Sequence, residues 1–137
     1  MNTKKIKILR ITTVPISLKI LLKDQLKYMN QYFDVVGISS QGKELSEVSQ
    51  DEGIRTIKLS MSREITPFLD VVSLVKMIFL ILKEKPSIVH THTPKAGIVG
   101  MFASWICRIP NRLHTVAGLP VMVAVGKKKN YYCCLKS

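Results

Sequence analysis

The stretch "SIVHTHTPKAGIVGMFASWICRI", residues 87–109, contains a strand, a loop and a helix in that order. The short β-branched run at its start is typical of a buried strand, and the longer apolar stretch after the loop has the length of a helix. Pro94 suits the first position of a helix, and the hydroxyl of Thr93 is expected to cap that helix. The sequence therefore predicts a strand-loop-helix unit whose helix begins at Pro94.

The same alternation of short apolar runs and longer helical periods continues along the chain. Strands are predicted over residues 6–14, 33–40, 54–60, 87–93 and 111–118, and helices over 18–32, 43–53, 66–86 and 94–109. The predicted strands are nearly continuous apolar runs, as in parallel sheets that are covered on both faces. We therefore predict an α/β fold, a Rossmann-like parallel sheet with helices on both faces. The long helix over 66–86, with Thr66 as its N-cap, is expected to be mostly buried.

Composition narrows the class of protein. The 137 residues carry 21 Lys and Arg against 9 Asp and Glu, a formal net charge of +12, which favours polyanionic partners. No zinc spacing, aromatic RNA-binding strand or basic recognition helix is present, so we expect no nucleic-acid partner and favour a phosphate or an anionic lipid surface. No apolar run is long enough to span a membrane, no secretion signal is evident, and three cysteines without framework spacing fit a reducing cytoplasm.

In a parallel sheet the loops that follow the strands share one edge, where ligands bind. These loops are predicted at residues 12–17, 39–43, 60–66, 92–95 and 117–120. The helix start at Pro94 attracts anions, and Lys95 adds a positive charge in the same turn. Gly97 leaves room for a close backbone approach. We therefore expect a phosphate or a sugar hydroxyl to bind at this turn, although simple capping of the helix would also explain it.

Two histidines precede that turn. His92, at the end of the predicted strand, is expected to contact a ligand, and His90 is expected to lie deeper in a structural role. A purely structural role remains open for His92 as well. A histidine pair with this spacing needs a third ligand from elsewhere to hold a metal, and none is evident, so no metal site is expected.

Charged residues in other segments suggest further contacts. Arg63 could clamp a phosphate and Glu64 could hold it or accept from a hydroxyl, although a solvated turn would also explain the pair. The first loop contains no glycine, so neither GxGxxG nor a P-loop is present and a tightly bound dinucleotide is not expected. Lys19, Lys23 and Lys27 recur along one predicted helix face, which is either solvated or suited to docking on an anionic bilayer.

With these features placed, "KPSIVHTHTPKAGIVGMFASWICRIPNRLHTVAGLP" resembles the amino-terminal domain of family 4 glycosyltransferases with the GT-B fold, in particular bacterial enzymes of capsule, O-antigen and lipid-linked glycan assembly. "TTVPISLKILLKDQLKYM" and "EGIRTIKLSMSREITPFLDVVSLVKM" are similar to the same subgroup. The resemblance implies a domain over residues 1–126. It leaves residues 127–137 as an atypical basic tail, which is expected to mark a truncation or a frameshift.

The resemblance also implies a function. Family members transfer a sugar from a nucleotide sugar to an acceptor with retention, here a polyprenyl-diphosphate-linked glycan, and they require neither a metal nor another cofactor. The amino-terminal domain holds the acceptor, and a carboxy-terminal domain, which this chain is expected to lack, holds the nucleotide sugar. The residues expected to contact the acceptor are Thr13, Arg63, Glu64, His92, Thr93, Lys95 and Gly118. The implied location is cytoplasmic, at the inner face of the cytoplasmic membrane.

One departure from the family concerns Ala117, which stands where many relatives have a histidine that reaches the reacting centre. No catalytic residue is therefore assigned. Two alternatives stay open: a non-catalytic remnant or a subunit that needs a separately encoded donor domain, and a sugar-nucleotide epimerase of GT-B architecture. The epimerase is disfavoured because its histidine and acidic loop signature is not seen.

Overall fold

A computed structural model describes residues 4–116. Ala117, Gly118 and the basic tail from residue 127 lie outside the described residues. The strands are β1 (Lys7–Ile11), β2 (Asp34–Ser39), β3 (Arg55–Lys58), β4 (Ile88–Thr91) and β5 (Asn111–His114). The helices are α1 (Pro15–Leu21), α2 (Gln25–Asn30), α3 (Lys43–Glu52), α4 (Pro67–Glu84) and α5 (Pro94–Ile106).

The five strands form one sheet in the order β3-β2-β1-β4-β5, and every neighbouring pair is parallel. The predicted α/β fold with a parallel sheet is therefore confirmed. The chain order reverses between β1 and β4, because β2 and β3 lie on one side of β1 while β4 and β5 lie on the other. Such a reversal opens a crevice at the carboxyl ends of the two central strands, where open α/β sheets bind their ligands.

Each face of the sheet has its own core, as the alternation of side chains along a strand requires. Val36 belongs to a cluster with Met77 of α4 and Val99 of α5. Its neighbour Val35 points to the opposite face and belongs to a cluster with Leu18 of α1 and residues of α2 and α3. The helices thus cover both faces, as predicted.

The helix predicted over residues 18–32 is instead two short helices, and that prediction is wrong. The break lies at Asp24, which has a left-handed backbone with φ of 62°. Glu52 of α3 explains the break, since its carboxylate accepts from the amide of Asp24 at 2.9 Å and from the amide of Lys27 at 2.8 Å. A buried carboxylate from a distant helix therefore caps α2, and local helical periodicity contains no trace of that contact.

The break also removes the continuous lysine face expected on this segment. Lys19 lies on α1 and pairs with Glu47 at 2.5 Å, whereas Lys27 lies on α2. Lys23 falls in the turn between the helices, in a depression that it shares with Asp51 and Glu52. Carboxylates accompany these lysines, so they do not form a uniformly basic surface.

No helix among residues 4–116 combines the length and apolarity needed to cross a bilayer. The expectation that α4 is mostly buried is only half right. Its inward ridge, which includes Met77 and Ile81, is buried, but Phe68 is 81% exposed and Phe79 is 68% exposed. The helix is apolar on both sides, and the described residues cover only one of them.

Candidate functional site

The loops after β1 and β4 meet at the point where the chain order reverses. The amide of Thr13 donates to the hydroxyl of Thr93 at 3.0 Å, and the two hydroxyl oxygens are 2.6 Å apart. Thr93 occupies the N-cap position of α5 with Pro94 at the first helical position, but its hydroxyl makes no cap hydrogen bond. The predicted capping role of Thr93 is therefore wrong, because its oxygen is engaged by Thr13.

The predicted cap at Thr66 has a similar outcome. Thr66 occupies the N-cap position of α4, but its hydroxyl makes no hydrogen bond to a helix amide. Instead, the carboxylate of Asp70 accepts from the amide of Thr66 at 3.3 Å. The helix begins where the sequence predicts, but an acidic side chain in its first turn, and not the threonine, supplies the hydrogen bond.

A cavity of about 300 Å³ opens beside the two threonines. Four of the predicted contact residues line it together, Thr13, Arg63, Thr93 and Lys95, with Val14, Ser17 and Pro94. The sequence assigned these four to three different loops, and the parallel sheet brings them to one place. Arg63 is exposed and has no ion pair with any residue of the described range 4–116. Its guanidinium is therefore available to an anion.

Lys95 has a different role from the one expected. Its ammonium group lies 2.6 Å from Asp70 and donates to the backbone oxygen of Glu64. The hydrogen bond from Lys95 also lowers the pKa of the Asp70 carboxyl, so this carboxyl stays ionised at neutral pH. Lys95 thus joins the first turns of α4 and α5 and fixes the loop that carries Arg63. Most of its charge is compensated inside the protein.

The side chains of Glu64 and His92 do not reach the cavity. Glu64 contributes its backbone oxygen to Lys95, and its exposed carboxylate does not line the cavity. His92 is only 4% exposed, and its amide donates to the oxygen of Ile11 at 3.0 Å, which continues the β1-β4 ladder. Neither side chain lines this cavity, and the Nε2 of His92 is buried without a hydrogen-bond partner among residues 4–116. Gly118 lies outside the described residues.

The relative depth of the two histidines is the reverse of the prediction. His92 is buried, whereas His90 is half-buried and its Nε2 lies 2.7 Å from the hydroxyl of Thr115. The two rings lie against each other, tilted by 36°, with centroids 4.1 Å apart. His92 remains in the sheet layer because its backbone is still paired with β1. The prediction that His90 lies deeper than His92 is therefore wrong.

Sequence reasoning missed Arg10, which lies beside His90 in the β1-β4 pairing. Its side chain is 2% exposed and contacts the sulfur of Met29 at 3.0 Å and the side-chain oxygen of Gln25. Burial lowers the pKa of Arg10 to about 10. An arginine inside an otherwise apolar strand was the signal that could have indicated a buried cation.

Ser40 was also missed, although it connects three of the loops at this edge. Its hydroxyl lies 2.6 Å from the backbone oxygen of Thr13 and 2.9 Å from that of Met61, and it accepts from the amide of Met61 at 3.1 Å. These contacts link the ends of β1, β2 and β3 and hold Thr13 in place. The position of a serine directly after a strand does not reveal by itself that its hydroxyl contacts two other loops.

Gly97 does not provide room for a ligand. A Cβ atom at this position would lie 2.6 Å from a carbon of the His114 ring, so the space beside the glycine is filled by β5. Among the described residues, no three His, Cys, Asp or Glu side chains come together as a metal site would require. The polar side chains that line the cavity are therefore the Arg63 guanidinium, the ion-paired Lys95, and the hydroxyls of Thr13, Ser17 and Thr93, beside the first turn of α5.

Burial lowers the pKa of His92 to about 3 and that of His90 to about 4, and in both cases the charge of Arg10 contributes. Both rings are neutral in the folded protein at neutral pH, whereas in the unfolded chain they take up a proton near pH 6.5. Acidification from pH 7 to pH 5 should therefore lower the free energy of unfolding, by at most about 1.4 kcal/mol per pH unit for each histidine. Urea denaturation at several pH values measures this slope.

The double variant His90→Gln, His92→Gln is the control for that prediction. It should show a flatter dependence between pH 7 and 5, because both titrating rings are gone. Glu84 does not interfere in this range. Burial raises the pKa of its carboxyl, but hydrogen bonds from Lys7 and Arg55 lower this pKa by more than burial raises it. The stabilisation that the ionised carboxylate contributes is therefore lost only below about pH 4.5. An unchanged slope in the double variant would contradict the assignment to the histidines.

A larger groove of about 780 Å³ lies at the opposite, amino-terminal edge of the sheet. Five lysines line it, Lys4, Lys5, Lys7, Lys83 and Lys85. It also contains the carboxylates of Asp34 and Glu84, and Lys7 contacts both of them. We favour the smaller cavity, because ligands of open α/β sheets bind at the carboxyl ends of the strands and at the point where the chain order reverses.

Sequence comparisons identify relatives of the chain. A sequence model of the family described as "Glycosyl transferase 4-like" matches residues 10–136. The capsular polysaccharide biosynthesis glycosyltransferase CapM of Staphylococcus aureus is 40% identical over 126 residues, which cover 91% of this chain and 32% of CapM. The UDP-Gal:alpha-D-GlcNAc-diphosphoundecaprenol alpha-1,3-galactosyltransferase of Escherichia coli is 34% identical over 89 residues, covering 65% of this chain and 23% of that enzyme. The chain thus spans about a third or less of the length of these relatives.

Solved structures share the fold. A glycosyltransferase from Rickettsia africae superimposes with a TM-score of 0.66 at 21% identity, over 93% of this chain and 33% of that one. A UDP-N-acetylglucosamine 2-epimerase from Rickettsia bellii gives a TM-score of 0.62 at 20% identity, over 80% of this chain and 30% of that one. At such identities the similarity concerns the architecture, which a glycosyltransferase and an epimerase have in common.

Proposed function

Because this chain belongs to the glycosyl transferase 4-like family, we propose that it forms the acceptor-binding half of a glycosyltransferase of surface polysaccharide assembly. Its acceptor is a polyprenyl-diphosphate-linked glycan, and the donor is a nucleotide sugar. The observation that carries this proposal is the cavity at the chain reversal, where Arg63 stands without an ion pair from the described residues beside the hydroxyls of Thr13 and Thr93.

The chemistry of the cavity suits a diphosphate with its first sugar. A guanidinium forms paired, charge-assisted hydrogen bonds with phosphate oxygens. The first amides of α5 favour the same negative charge. The hydroxyls of Thr13 and Thr93 can donate to or accept from sugar hydroxyls. A volume of about 300 Å³ is at the lower end of the usual range for ligand sites, which fits a head group better than an entire nucleotide sugar.

We divide the predicted contact residues by role. Arg63, Thr13 and Thr93 contact the acceptor directly. Lys95 acts mainly through its ion pair with Asp70, which holds the loop of Arg63 in position. Glu64 and His92 have no direct contact in this arrangement, and a carboxylate such as Glu64 would repel a diphosphate.

We place the residues that bind the nucleotide sugar outside these 137 residues. The relatives are about three times as long as this chain, which leaves most of their length for a donor site. The chain would then be a subunit or a segment that needs a donor-binding partner for turnover. An epimerase remains the second candidate, supported by the shared architecture with the Rickettsia bellii enzyme, but the sequence relatives are glycosyltransferases.

The proposed location is the inner face of the cytoplasmic membrane, with an anionic membrane surface as partner. Two observations support it: the net charge of +12, and the name of the Escherichia coli relative, which specifies a diphosphoundecaprenol-linked substrate. A lipid carrier of that kind keeps its diphosphate at the membrane surface, where a basic protein is attracted to anionic head groups.

An activity assay separates these candidates. The chain is incubated with a polyprenyl-diphosphate glycan in detergent micelles, with and without a nucleotide sugar. We expect the chain to bind the acceptor and to transfer no sugar on its own. Sugar transfer by the chain alone would contradict the division into two halves. Interconversion of UDP-N-acetylglucosamine with its 2-epimer would favour the epimerase.

A further inference from the structure

Arg10 of β1 is a buried cation without a counter-charge. It is 2% exposed, and although burial lowers its pKa to about 10, it stays charged at neutral pH. All nine acidic residues of the chain lie between Asp24 and Glu84, within the described range. None of them forms an ion pair with Arg10. No aspartate or glutamate of this chain therefore neutralises the guanidinium.

The hydrogen bonds of Arg10 are incomplete as well. A guanidinium has five N–H donors. Arg10 directs one to the side-chain oxygen of Gln25 and one to the sulfur of Met29, a weak acceptor, and its Nε has no partner within residues 4–116. Burying a charge without an ionic partner is costly in folding free energy. A residue that lowers the stability of the free protein in this way indicates a compensating role in binding.

His92 shows the same feature on the neighbouring strand. Arg10 is paired with His90 between β1 and β4, so by the alternation along a strand Arg10, His90 and His92 belong to one face of the sheet. Three buried side-chain atoms lack a hydrogen-bond partner in the described part of the chain, and two of them, Arg10 Nε and His92 Nε2, belong to this face. Both imidazoles are neutral at neutral pH, so they do not cancel the charge of Arg10.

The uncompensated charge lies close to the candidate cavity. Thr13, which lines the cavity, follows Arg10 by three residues, so their Cα atoms are at most about 10 Å apart. On the neighbouring strand, His92 directly precedes Thr93, the second threonine of the cavity. Burial lowers the pKa of His92 to about 3, and the charge of Arg10 contributes. The field of Arg10 thus reaches the residue that adjoins the cavity wall.

We propose that Arg10 is an internal counter-charge that attracts the diphosphate of the acceptor through the protein, without touching it. The proposal rests on the proposed function and deepens it, because it adds a residue that selects acceptors by their charge. A buried charge acts through a medium of lower dielectric constant than water and is screened little by salt. At about 10 Å and an effective dielectric constant of about 20, each negative charge of the ligand gains roughly tenfold in affinity.

The test compares Arg10→Met with the unchanged protein by titration calorimetry in detergent micelles. One ligand is a polyprenyl-diphosphate glycan with two negative charges, and the other is the corresponding monophosphate with one. Arg10→Met should weaken binding of the diphosphate by roughly 100-fold and that of the monophosphate by roughly tenfold, because the Coulomb energy is proportional to the charge of the ligand. Equal losses for both ligands would indicate a distorted cavity and would overturn the proposal.

Stability provides a readout that separates charge from structure. Methionine fills the space with a flexible apolar chain, and the exposed Gln25 can turn its amide to water. Arg10→Met should therefore leave the free energy of unfolding unchanged or raise it, as is common when a buried charged group is replaced by an apolar one. Arg10→Gln removes the same charge with a polar side chain. It should show the same ratio between the two ligands, and it carries the test if Arg10→Met does not fold.

Two controls accompany these variants. Arg112→Ala removes an exposed positive charge from β5 and should leave the affinities for both ligands nearly unchanged. At high salt the effect of Arg10→Met should persist, whereas the contribution of the exposed Arg63 should shrink. An effect of Arg10→Met that salt abolishes, or an equal loss in Arg112→Ala, would overturn an internal counter-charge.

Inorganic diphosphate, as a further ligand, distinguishes this proposal from the proposed function. If the Arg10 variants bind the diphosphate glycan as well as the unchanged protein does, the counter-charge is overturned and the acceptor site stands. If the unchanged protein binds inorganic diphosphate in a way that depends on Arg10, but does not bind the glycan, the proposed function is overturned and the counter-charge stands. Absence of binding to either ligand would overturn both.

Discussion

Replacing Met77 with alanine is expected to lower the free energy of unfolding by about 2–5 kcal/mol. Met77 is 0% exposed and lies in the core between α4, α5 and the central strands. Truncation leaves a cavity that a close-packed interior fills only in part. Native domains are stable by about 5–15 kcal/mol, so the variant should unfold at a clearly lower urea concentration. Circular dichroism during urea denaturation measures the change.

The matched control lies two residues further along the same helix. Phe79 is larger than Met77, but it is 68% exposed on the outward side of α4. Its change to alanine should alter the free energy of unfolding by no more than about 0.5 kcal/mol. Equal destabilisation by both substitutions would contradict the orientation of α4, which buries Met77 and exposes Phe79.

Replacing Arg63 with alanine is expected to weaken binding of a polyprenyl-diphosphate glycan by roughly 10- to 100-fold, which corresponds to the loss of charged hydrogen bonds worth about 1.5–3 kcal/mol. Arg63 is exposed at the cavity and pairs with none of the carboxylates in residues 4–116, so its removal should leave the fold stable. Titration calorimetry in detergent micelles measures the affinity, and urea denaturation checks the stability.

Arg112 provides the control of equal charge. It is exposed on β5 and does not line the cavity, so Arg112→Ala lowers the net charge by the same amount at a different place. This variant should bind the acceptor nearly as well as the unchanged protein. If both arginine variants lost affinity equally, the effect would come from the overall charge and not from a site at Arg63.

Much of the fold follows from local sequence. Alternation of apolar strands with helical periods is a local property, and Pro67 and Pro94 mark helix starts that the structure confirms. The family resemblance is confirmed by the match over residues 10–136. The break at Asp24 could not be predicted, because its cause is a carboxylate on α3 that is distant in sequence.

The grouping of four predicted contact residues around one cavity was foreseeable, but their hydrogen bonds were not. Parallel strands bring their following loops to one edge, so the grouping of Thr13, Arg63, Thr93 and Lys95 could be expected from topology. The hydrogen-bond partners of these residues could not be predicted from topology, because each partner depends on contacts between loops. The hydroxyl of Thr93 meets Thr13 instead of its own helix. Lys95 finds Asp70 on a neighbouring helix, and this removes the free charge that its position had suggested.

The depth of the histidines was misjudged for a similar reason. His92 follows His90 along the chain, so it was predicted to lie nearer the edge of the sheet. That prediction would hold if the pairing of β4 with β1 ended at Thr91, the last residue of β4. The amide of His92 still pairs with Ile11, so its ring stays buried beyond the last residue of β4. Pairing between strands, which local sequence does not report, decided the outcome.

Amide chemical-shift mapping tests the central claim most directly. The chain is labelled with nitrogen-15 and titrated with a polyprenyl-diphosphate glycan in detergent micelles. The account predicts that the largest shifts occur at Thr13, Arg63, Thr93 and Lys95, around the cavity at the chain reversal. Largest shifts at Lys4, Lys5 and Lys85, in the basic groove at the opposite edge of the sheet, would contradict it.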